Sequence, residues 1–188
     1  MVRWPVPNGS PDGVSVCSNG NILIAVRDTG QLVIFTPTGK LVKQIRLPLE
    51  MVNPRHSIQL DGGGGGGSEF LLCHGWGSSA YGICVVDSDG RVVRSSPSSS
   101  SASSAASAPA PGSFSPTHLT VDRHGNVLVA EFSGNAVQLY DKRLNYVGDV
   151  VARSAGLKRP FRLHLDATSG RLYVGEYNGG CRVLIFGR

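Results

Sequence analysis

The sequence lacks three features that mark common protein classes: a long apolar run, paired cysteines and helical periodicity. No stretch approaches about 18 apolar residues, and the start, residues 1–7, has no apolar core of a secretory signal. Four separated cysteines form no CxxC motif, which is typical of reduced, structural thiols. We therefore expect a soluble, cytoplasmic protein, or a soluble piece of a longer one, without a membrane partner.

Helical signals are also missing, and charge is sparse. Apolar residues nowhere hold a period of about 3.6 over three turns, so helices should be nearly absent. Charged residues make up 16% of the 188 residues, and the net charge is +5. This mild basic bias permits an anionic partner without requiring one.

Two low-complexity segments interrupt the chain. Residues 62–67 are all glycine, and residues 95–113 consist almost wholly of Ser, Ala and Pro. Neither segment can bury enough surface to offset chain entropy, so we expect a Gly-rich loop insert and a disordered insert. The glycine run precedes a strand-like stretch rather than a helix, which argues against a nucleotide site, and no cofactor is expected.

The rest of the sequence repeats. Four segments begin with proline, alternate apolar and polar residues, and end at Cys17, Asp61, Asp122 and Asp166, which lie 44, 61 and 44 residues apart. They read PDGVSVC, PRHSIQLD, PTHLTVD and PFRLHLD. Each is followed by a turn and further short apolar runs, as in consecutive hairpins.

This spacing predicts the fold. Four antiparallel strands in each period of about 44 residues are typical of a β-propeller. We predict an all-β propeller with about fifteen strands in four blades, forming a single domain or domain fragment over residues 1–188. Val14, Val16, Leu119, Val121, Leu163 and Leu165 should pack between neighbouring sheets, because their alternation places each pair on one face.

The third repeat carries a family resemblance. Residues 116–131 read PTHLTVDRHGNVLVAE and residues 135–141 read NAVQLYD, a pattern that closely resembles an NHL repeat. Residues 11–35 and 160–186 match the same pattern, and residues 54–86 match it with insertions. The family's acidic residue after the second strand is present as Glu131 and Glu176. Val26 and His74 stand in its place, which predicts that the first two blades lack one loop contact.

The resemblance implies both a size and a role. NHL propellers usually have six blades, so this chain is expected either to be the C-terminal part of a longer protein or to close with four blades alone, and we favour a fragment or an incomplete gene product. The NHL domains at the C-terminus of tripartite-motif (TRIM-NHL) proteins imply a non-enzymatic binding module. Such a module recognises RNA or a protein through its blade-top loops, for target selection in ubiquitin ligation or for post-transcriptional regulation.

The candidate binding surface is the face where the loops before the first strand and between the second and third strands emerge. Basic and aromatic residues are interleaved there, which suits single-stranded RNA or a protein interface. Glu131 and Glu176 lie on the same face and weaken the case for a continuous phosphate track. The surface is predicted to comprise Arg27, Arg55, His56, Trp76, His118, Phe132, Arg159, Phe161, Arg162, Tyr177 and Asn178.

Two alternatives stay open. A metal-dependent propeller enzyme of the amidating-lyase type would need ligands converging from several blades, but the five histidines form no metal-binding motif. A purely structural scaffold for protein interaction would leave the exposed rings and arginines merely solvated. We expect no catalytic residue, no metal ligand and no small-molecule substrate.

Overall fold

The structure, a computed structural model, describes residues 5–6, 9–51, 53–60, 67–75, 81–96 and 114–185. These residues form fifteen strands and one short 3-10 turn, Arg153–Ala155, which confirms that helix is nearly absent. Among them, no helix is long and apolar enough to cross a bilayer. The two predicted inserts lie outside the described residues, apart from Gly67, Ser95 and Ser96.

Four antiparallel sheets follow one another along the chain, each built from consecutive strands. The first sheet contains β1 (Pro11–Val16), β2 (Ile22–Val26), β3 (Gln31–Phe35) and β4 (Leu41–Arg46). The second contains β5 (Pro54–Leu60), β6 (Glu69–His74), β7 (Gly82–Val86) and β8 (Val92–Ser95). The third contains β9 (Pro116–Val121), β10 (Val127–Glu131), β11 (Ala136–Tyr140) and β12 (Tyr146–Val151). The fourth contains β13 (Pro160–Asp166), β14 (Arg171–Glu176) and β15 (Cys181–Ile185). These are the four blades of a β-propeller, as the repeat spacing predicts.

Contacts group the chain into two compact units, Met1–Ser95 and Ser96–Arg188, with two blades in each. In the first unit, Leu23, Leu32, Phe70 and Leu72 are fully buried and join its two sheets in one core. In the second unit, the core joins the third and fourth blades and includes Leu128, Val137, Val151, Leu163, Leu172 and Val174. Each core consists of the inward positions of alternating strands, because successive side chains point to opposite faces.

The prediction for the first strand of each blade is only partly right. Leu119 and Leu163 are buried, whereas Val121 and Leu165 are half-buried. Val14 and Val16 are 59% and 71% exposed, so the prediction that they pack between sheets is wrong. In β1 the opposite face is the covered one: Gly13 lies against the backbone of β5, and the Ser15 hydroxyl donates to the Ser57 carbonyl at 2.7 Å.

A β-bulge follows the proline that opens each blade. The register between the first and second strands skips one residue in every blade, and the skipped residues are Asp12, Arg55, Thr117 and Phe161. A bulge bends the strand and redirects its extra side chain. Proline fits there because it opens the strand, where its missing N–H is tolerated. The bulge thus gives one repeated position an unusual side-chain direction.

Candidate interaction site

Three aromatic rings meet at one end of the third and fourth blades. Phe132 follows β10, Phe161 is the bulged residue of β13, and Tyr177 follows β14. The ring centroids of Phe132 and Phe161 are 6.4 Å apart, and Tyr177 lies 5.5 Å from each of them. All three pairs are edge-to-face, the arrangement that the ring quadrupole favours. The rings therefore form one packed group rather than three separate exposed side chains.

Two arginines lie against these rings. The Arg162 guanidinium carbon is 4.1 Å from the Phe161 ring centroid, and that of Arg159 is 5.6 Å from the Phe132 centroid. Both distances are within the range of a cation–π interaction. We call Phe132, Arg159, Phe161, Arg162 and Tyr177 the aromatic–arginine cluster. Five of the eleven predicted surface residues thus come together at one place.

The backbone of Arg159 ties the loops of the cluster together. Its N–H donates to the Asn135 side-chain oxygen at 2.7 Å, and its carbonyl accepts from the Tyr177 N–H at 3.0 Å. Arg159 has a φ of 47°, in the left-handed region. The loop before β13 is therefore joined to both the β10–β11 and the β14–β15 turns. This bonding holds the rings on a framework that is already ordered before any partner binds.

Carboxylates anchor the loops beneath the cluster. Glu131 is 2% exposed and accepts from the N–H groups of Ser115 at 2.6 Å and Ser133 at 3.2 Å, and also from that of Gly134. Burial raises the pKa of the Glu131 carboxyl, and the three N–H donors oppose that shift. The buried charge is thus used to fix the loop that carries Phe132.

Glu176 plays the corresponding part in the fourth blade. Its carboxylate accepts from the Lys158 N–H at 3.0 Å and from the Arg182 Nε at 2.8 Å. The hydrogen bond from Lys158, followed by that from Arg182, lowers the pKa of Glu176. Both acidic residues that match the NHL pattern therefore stabilise loops through hydrogen bonds.

The first blade makes a similar contact from another position. Asp28, two residues after Val26, accepts from the Ser10 N–H at 3.0 Å. The hydrogen bonds from Ser10 and Arg27 lower the pKa of Asp28. The prediction that this blade lacks the loop contact is therefore wrong, because the carboxylate is displaced by two residues rather than absent. A search of the neighbouring turn positions for acidic residues would have found it.

The predicted surface residues of the first unit are arranged differently. Arg55 and His56 are only 6% and 3% exposed, which contradicts their expected place on an open surface. Arg55 instead pairs with Asp12, with 3.0 Å between Nη1 and Oδ2. Arg27 is partly exposed and pairs with Asp28, and Trp76 lies outside the described residues. The bulge after Pro54 turns Arg55 inward, a feature that loop position alone does not reveal.

Two further predicted residues lie in the second unit. The half-buried His118 accepts from the Leu163 N–H through Nδ1 at 3.3 Å, so one of its ring nitrogens joins the two blades. Asn178 is exposed in the β14–β15 turn beside Tyr177. Asn178 therefore borders the aromatic–arginine cluster, whereas His118 has a packing role.

Side chains of the types that bind metals do not cluster in the described residues. In the described part of the chain, no three His, Cys, Asp or Glu side chains lie close enough to hold a metal ion. Cys17, Cys73 and Cys84 are buried, Cys181 is exposed, and all four are free thiols. Burial raises the pKa of the Cys73 and Cys84 thiols to about 12, which keeps both protonated and unreactive.

Comparison with known proteins supports the fold but gives no family. No family model matches the chain, and no curated protein does either. The NHL resemblance therefore remains a hypothesis. Solved structures, in contrast, share the fold of this chain.

Three solved structures illustrate the similarity. A protein of unknown function from Bacteroides caccae shares 14% identity, with a TM-score of 0.57 over 97% of this chain and 63% of its own. Virginiamycin B lyase from Staphylococcus aureus shares 16% identity, with a TM-score of 0.59 over 94% of this chain and 55% of its own. The β-propeller domain of Cps50 (Swd1) from Myceliophteria thermophila shares 12% identity, with a TM-score of 0.61 over 95% of this chain and 53% of its own.

The chain thus spans between half and two thirds of the length of these proteins. At such low identity the likeness concerns the backbone fold alone, because one fold supports many unrelated functions. Together with the four blades described above, it shows that this chain has the β-propeller fold.

Proposed function

We propose that the chain is a non-enzymatic module that binds a protein partner through the aromatic–arginine cluster. The observation that carries this proposal is the packed group of three rings flanked by two guanidinium groups, with Tyr177 59% exposed at its surface. Tyrosine and arginine dominate the energetic centres of protein interfaces. The cluster offers an apolar anchor point and positive charge side by side.

The same surface suits a protein better than single-stranded RNA. Binding along an RNA backbone draws on several cations, each of which adds nearly one unit to the salt dependence. Arg182, at the start of β15 after the turn that carries Tyr177, is already paired with Glu176 at 2.8 Å. The cations beside the rings are therefore few, and carboxylates lie among them. The partner we propose is a protein segment that carries an apolar side chain next to an acidic one.

The proposed role is target recognition. It agrees with the resemblance to the NHL domains of tripartite-motif proteins, whose blade-top loops select targets. The cluster joins the β10–β11 and β14–β15 turns to the start of β13, and loops on a rigid scaffold are where binding residues concentrate. The lyase among the similar structures shares only the fold, so its activity does not enter the proposal.

The test begins with selection of binders from a displayed peptide library on the whole chain. The affinity of a selected peptide is then measured for Tyr177→Ala by isothermal titration calorimetry. We expect a loss of about 2 kcal/mol, roughly thirtyfold in Kd, because a central interface tyrosine is removed. Tyr173→Ala is the matched control, since Tyr173 lies on β14 outside the cluster and packs near His164. Its affinity should equal that of the unchanged chain.

Charge is tested separately. Arg159→Gln should weaken the peptide and reduce the salt dependence of binding, whereas Arg143→Gln, an exposed arginine in the β11–β12 turn, should do neither. A uridine oligonucleotide is titrated in parallel at low salt. Tight oligonucleotide binding lost in Arg159→Gln would replace the protein proposal by an RNA-binding function. Equal peptide affinity in Tyr177→Ala and Tyr173→Ala would overturn the site.

A further inference from the structure

A cleft opens at the other end of the third and fourth blades, away from the aromatic–arginine cluster. Its volume is about 640 Å³, within the usual range for small-molecule sites. The cleft lies between the β9–β10 turn and the β13–β14 turn, whereas the cluster lies at the β10–β11 and β14–β15 turns. Its lining includes Asp122, Arg123 and Thr168 at the rim and Leu139, Val150 and Leu165 below them.

The floor of the cleft is apolar. Leu128 is buried, whereas Leu139, Val150 and Leu165 are half-buried and pack on the core of the second unit. All four side chains line the cleft and give it an apolar floor. Covering such apolar surface removes it from water, which favours binding. An occupant with a hydrocarbon chain would gain from lying on this floor.

Two carboxylates at the rim of the cleft accept hydrogen bonds from N–H groups of their own turns. Asp122 Oδ1 accepts from the N–H groups of His124 and Asn126, both at 2.8 Å. Asp166, beside the lining residues Thr168 and Ser169, accepts from their N–H groups at 3.0 and 3.2 Å. These bonds are typical of Asx turns, in which the acidic side chain stabilises the loop. One oxygen of each carboxylate is thus occupied by hydrogen bonds within its own turn.

The positive charge at the rim, on Arg123, is not engaged in this way. Arg123 is exposed, lines the cleft, and makes no ion pair with any residue that the structure describes. Its Nε donates to His124 Nε2 at 3.1 Å, which orients the guanidinium and leaves its two terminal nitrogens for another acceptor. A guanidinium in this state matches a carboxylate through two parallel hydrogen bonds.

We propose that this cleft binds a small amphipathic carboxylate. Its hydrocarbon chain lies on Leu139, Val150 and Leu165, and its carboxylate pairs with Arg123. The apolar floor selects against small hydrophilic anions, and the cation at the rim selects against amphipathic cations of the same length. This site is separate from the proposed protein-binding surface, so either can fail without the other.

The test uses sodium octanoate as the probe, below its micelle concentration, with the whole chain. We expect saturable binding of one octanoate, and affinities for acetate and octylamine that are at least about tenfold weaker, because each lacks one of the two required contacts. Two-dimensional NMR of the unchanged protein should show octanoate-induced shifts at the turns around Arg123 and Thr168. Shifts confined to other regions would overturn the proposal.

Variants separate the two contacts. Arg123→Gln should weaken octanoate about tenfold, in line with the loss of a charge-assisted pair. Arg143→Gln is the matched control, because it removes the same charge from the neighbouring turn without touching the cleft lining. Val150→Thr keeps the side-chain shape while adding a hydroxyl to the floor, so affinity should fall severalfold. Equal affinity in Arg123→Gln and Arg143→Gln, or an absence of saturation, would refute the site.

Discussion

Replacing Arg55 by methionine tests whether this arginine is structural. Its side chain is 7% exposed and that of Asp12 is 14% exposed, with 3.0 Å between Nη1 and Oδ2. Arg55→Met would leave the Asp12 carboxylate largely buried beside an apolar side chain. Breaking a buried ion pair from one side costs about 3–5 kcal/mol, because the remaining charge loses its partner but not its desolvation penalty. That is a large part of the roughly 5–15 kcal/mol that stabilises a typical domain.

The assay is urea unfolding followed by far-UV circular dichroism. With a slope of about 2 kcal/mol per molar urea, the midpoint of Arg55→Met should fall by roughly 2 M. The double variant Asp12→Asn/Arg55→Met should recover most of the loss, because no buried charge remains. Arg27→Met is the control: its pair with Asp28 is 42% and 50% exposed. Arg27→Met should therefore leave the urea midpoint almost unchanged.

The double-mutant cycle of Arg55 and Asp12 also bears on binding. If the losses of stability in Arg55→Met and in Asp12→Asn, each measured alone, simply add in the double variant, Arg55 and Asp12 are not coupled and the structural role is refuted. If they are coupled, Arg55→Met that remains folded should bind the selected peptide as tightly as the unchanged chain. A selective loss of affinity without a loss of stability would return Arg55 to the binding surface.

Two further predictions concern the first unit. Burial lowers the pKa of His74 from 6.5 to about 4, so the folded state resists protonation. The contribution of His74 to the free energy of unfolding should be fully present above the unfolded pKa of 6.5. It should fall by about 3 kcal/mol as the pH drops from 6.5 to about 4, at about 1.4 kcal/mol per pKa unit. His74→Leu should remove most of the difference between the urea midpoints measured at pH 7.5 and pH 4.5. A β-carbon at Gly13 would stand 2.4 Å from the Arg55 carbonyl oxygen, whereas one at Gly148 meets nothing within 4 Å. Gly13→Ala should therefore lower the thermal midpoint by several degrees, for a loss of about 1–3 kcal/mol, and Gly148→Ala should lower it little. Equal midpoints for the two alanine variants would show that β1 can move away from β5.

The sequence specified the strands because the repeat contains its own boundaries. Each blade opens with proline and alternates apolar residues, and a turn then ends the first strand, so the period and the pairing follow from local chemistry. What alternation cannot supply is which of the two faces a neighbour covers. In β1 the small residues Gly13 and Ser15 face β5, because they allow its backbone to approach, and Val14 and Val16 are left outside.

The site was harder to predict than the strands. Phe132, Phe161 and Tyr177 were predicted to lie at the same end of their blades, and in the structure their rings pack together. The same reasoning wrongly placed Arg55 in the open, because its direction depends on a bulge and on a partner from another blade. Contacts between residues 43 positions apart leave no local signal in one sequence.

The four bulges explain why the cluster lies where it does. Three of the bulged side chains join one blade to another: Asp12 pairs with Arg55, and the Thr117 hydroxyl donates to the Pro160 carbonyl at 3.1 Å. The fourth, Phe161, uses the same redirected position to reach two rings that lie on loops. A bulge is a costly departure from regular pairing, and in three blades polar contacts between blades account for its presence. In the fourth blade the position holds an aromatic ring on the surface of the cluster instead. Phe161→Thr should therefore lower the thermal midpoint of unfolding less than Thr117→Phe does, while it removes one of the three rings of the proposed binding surface.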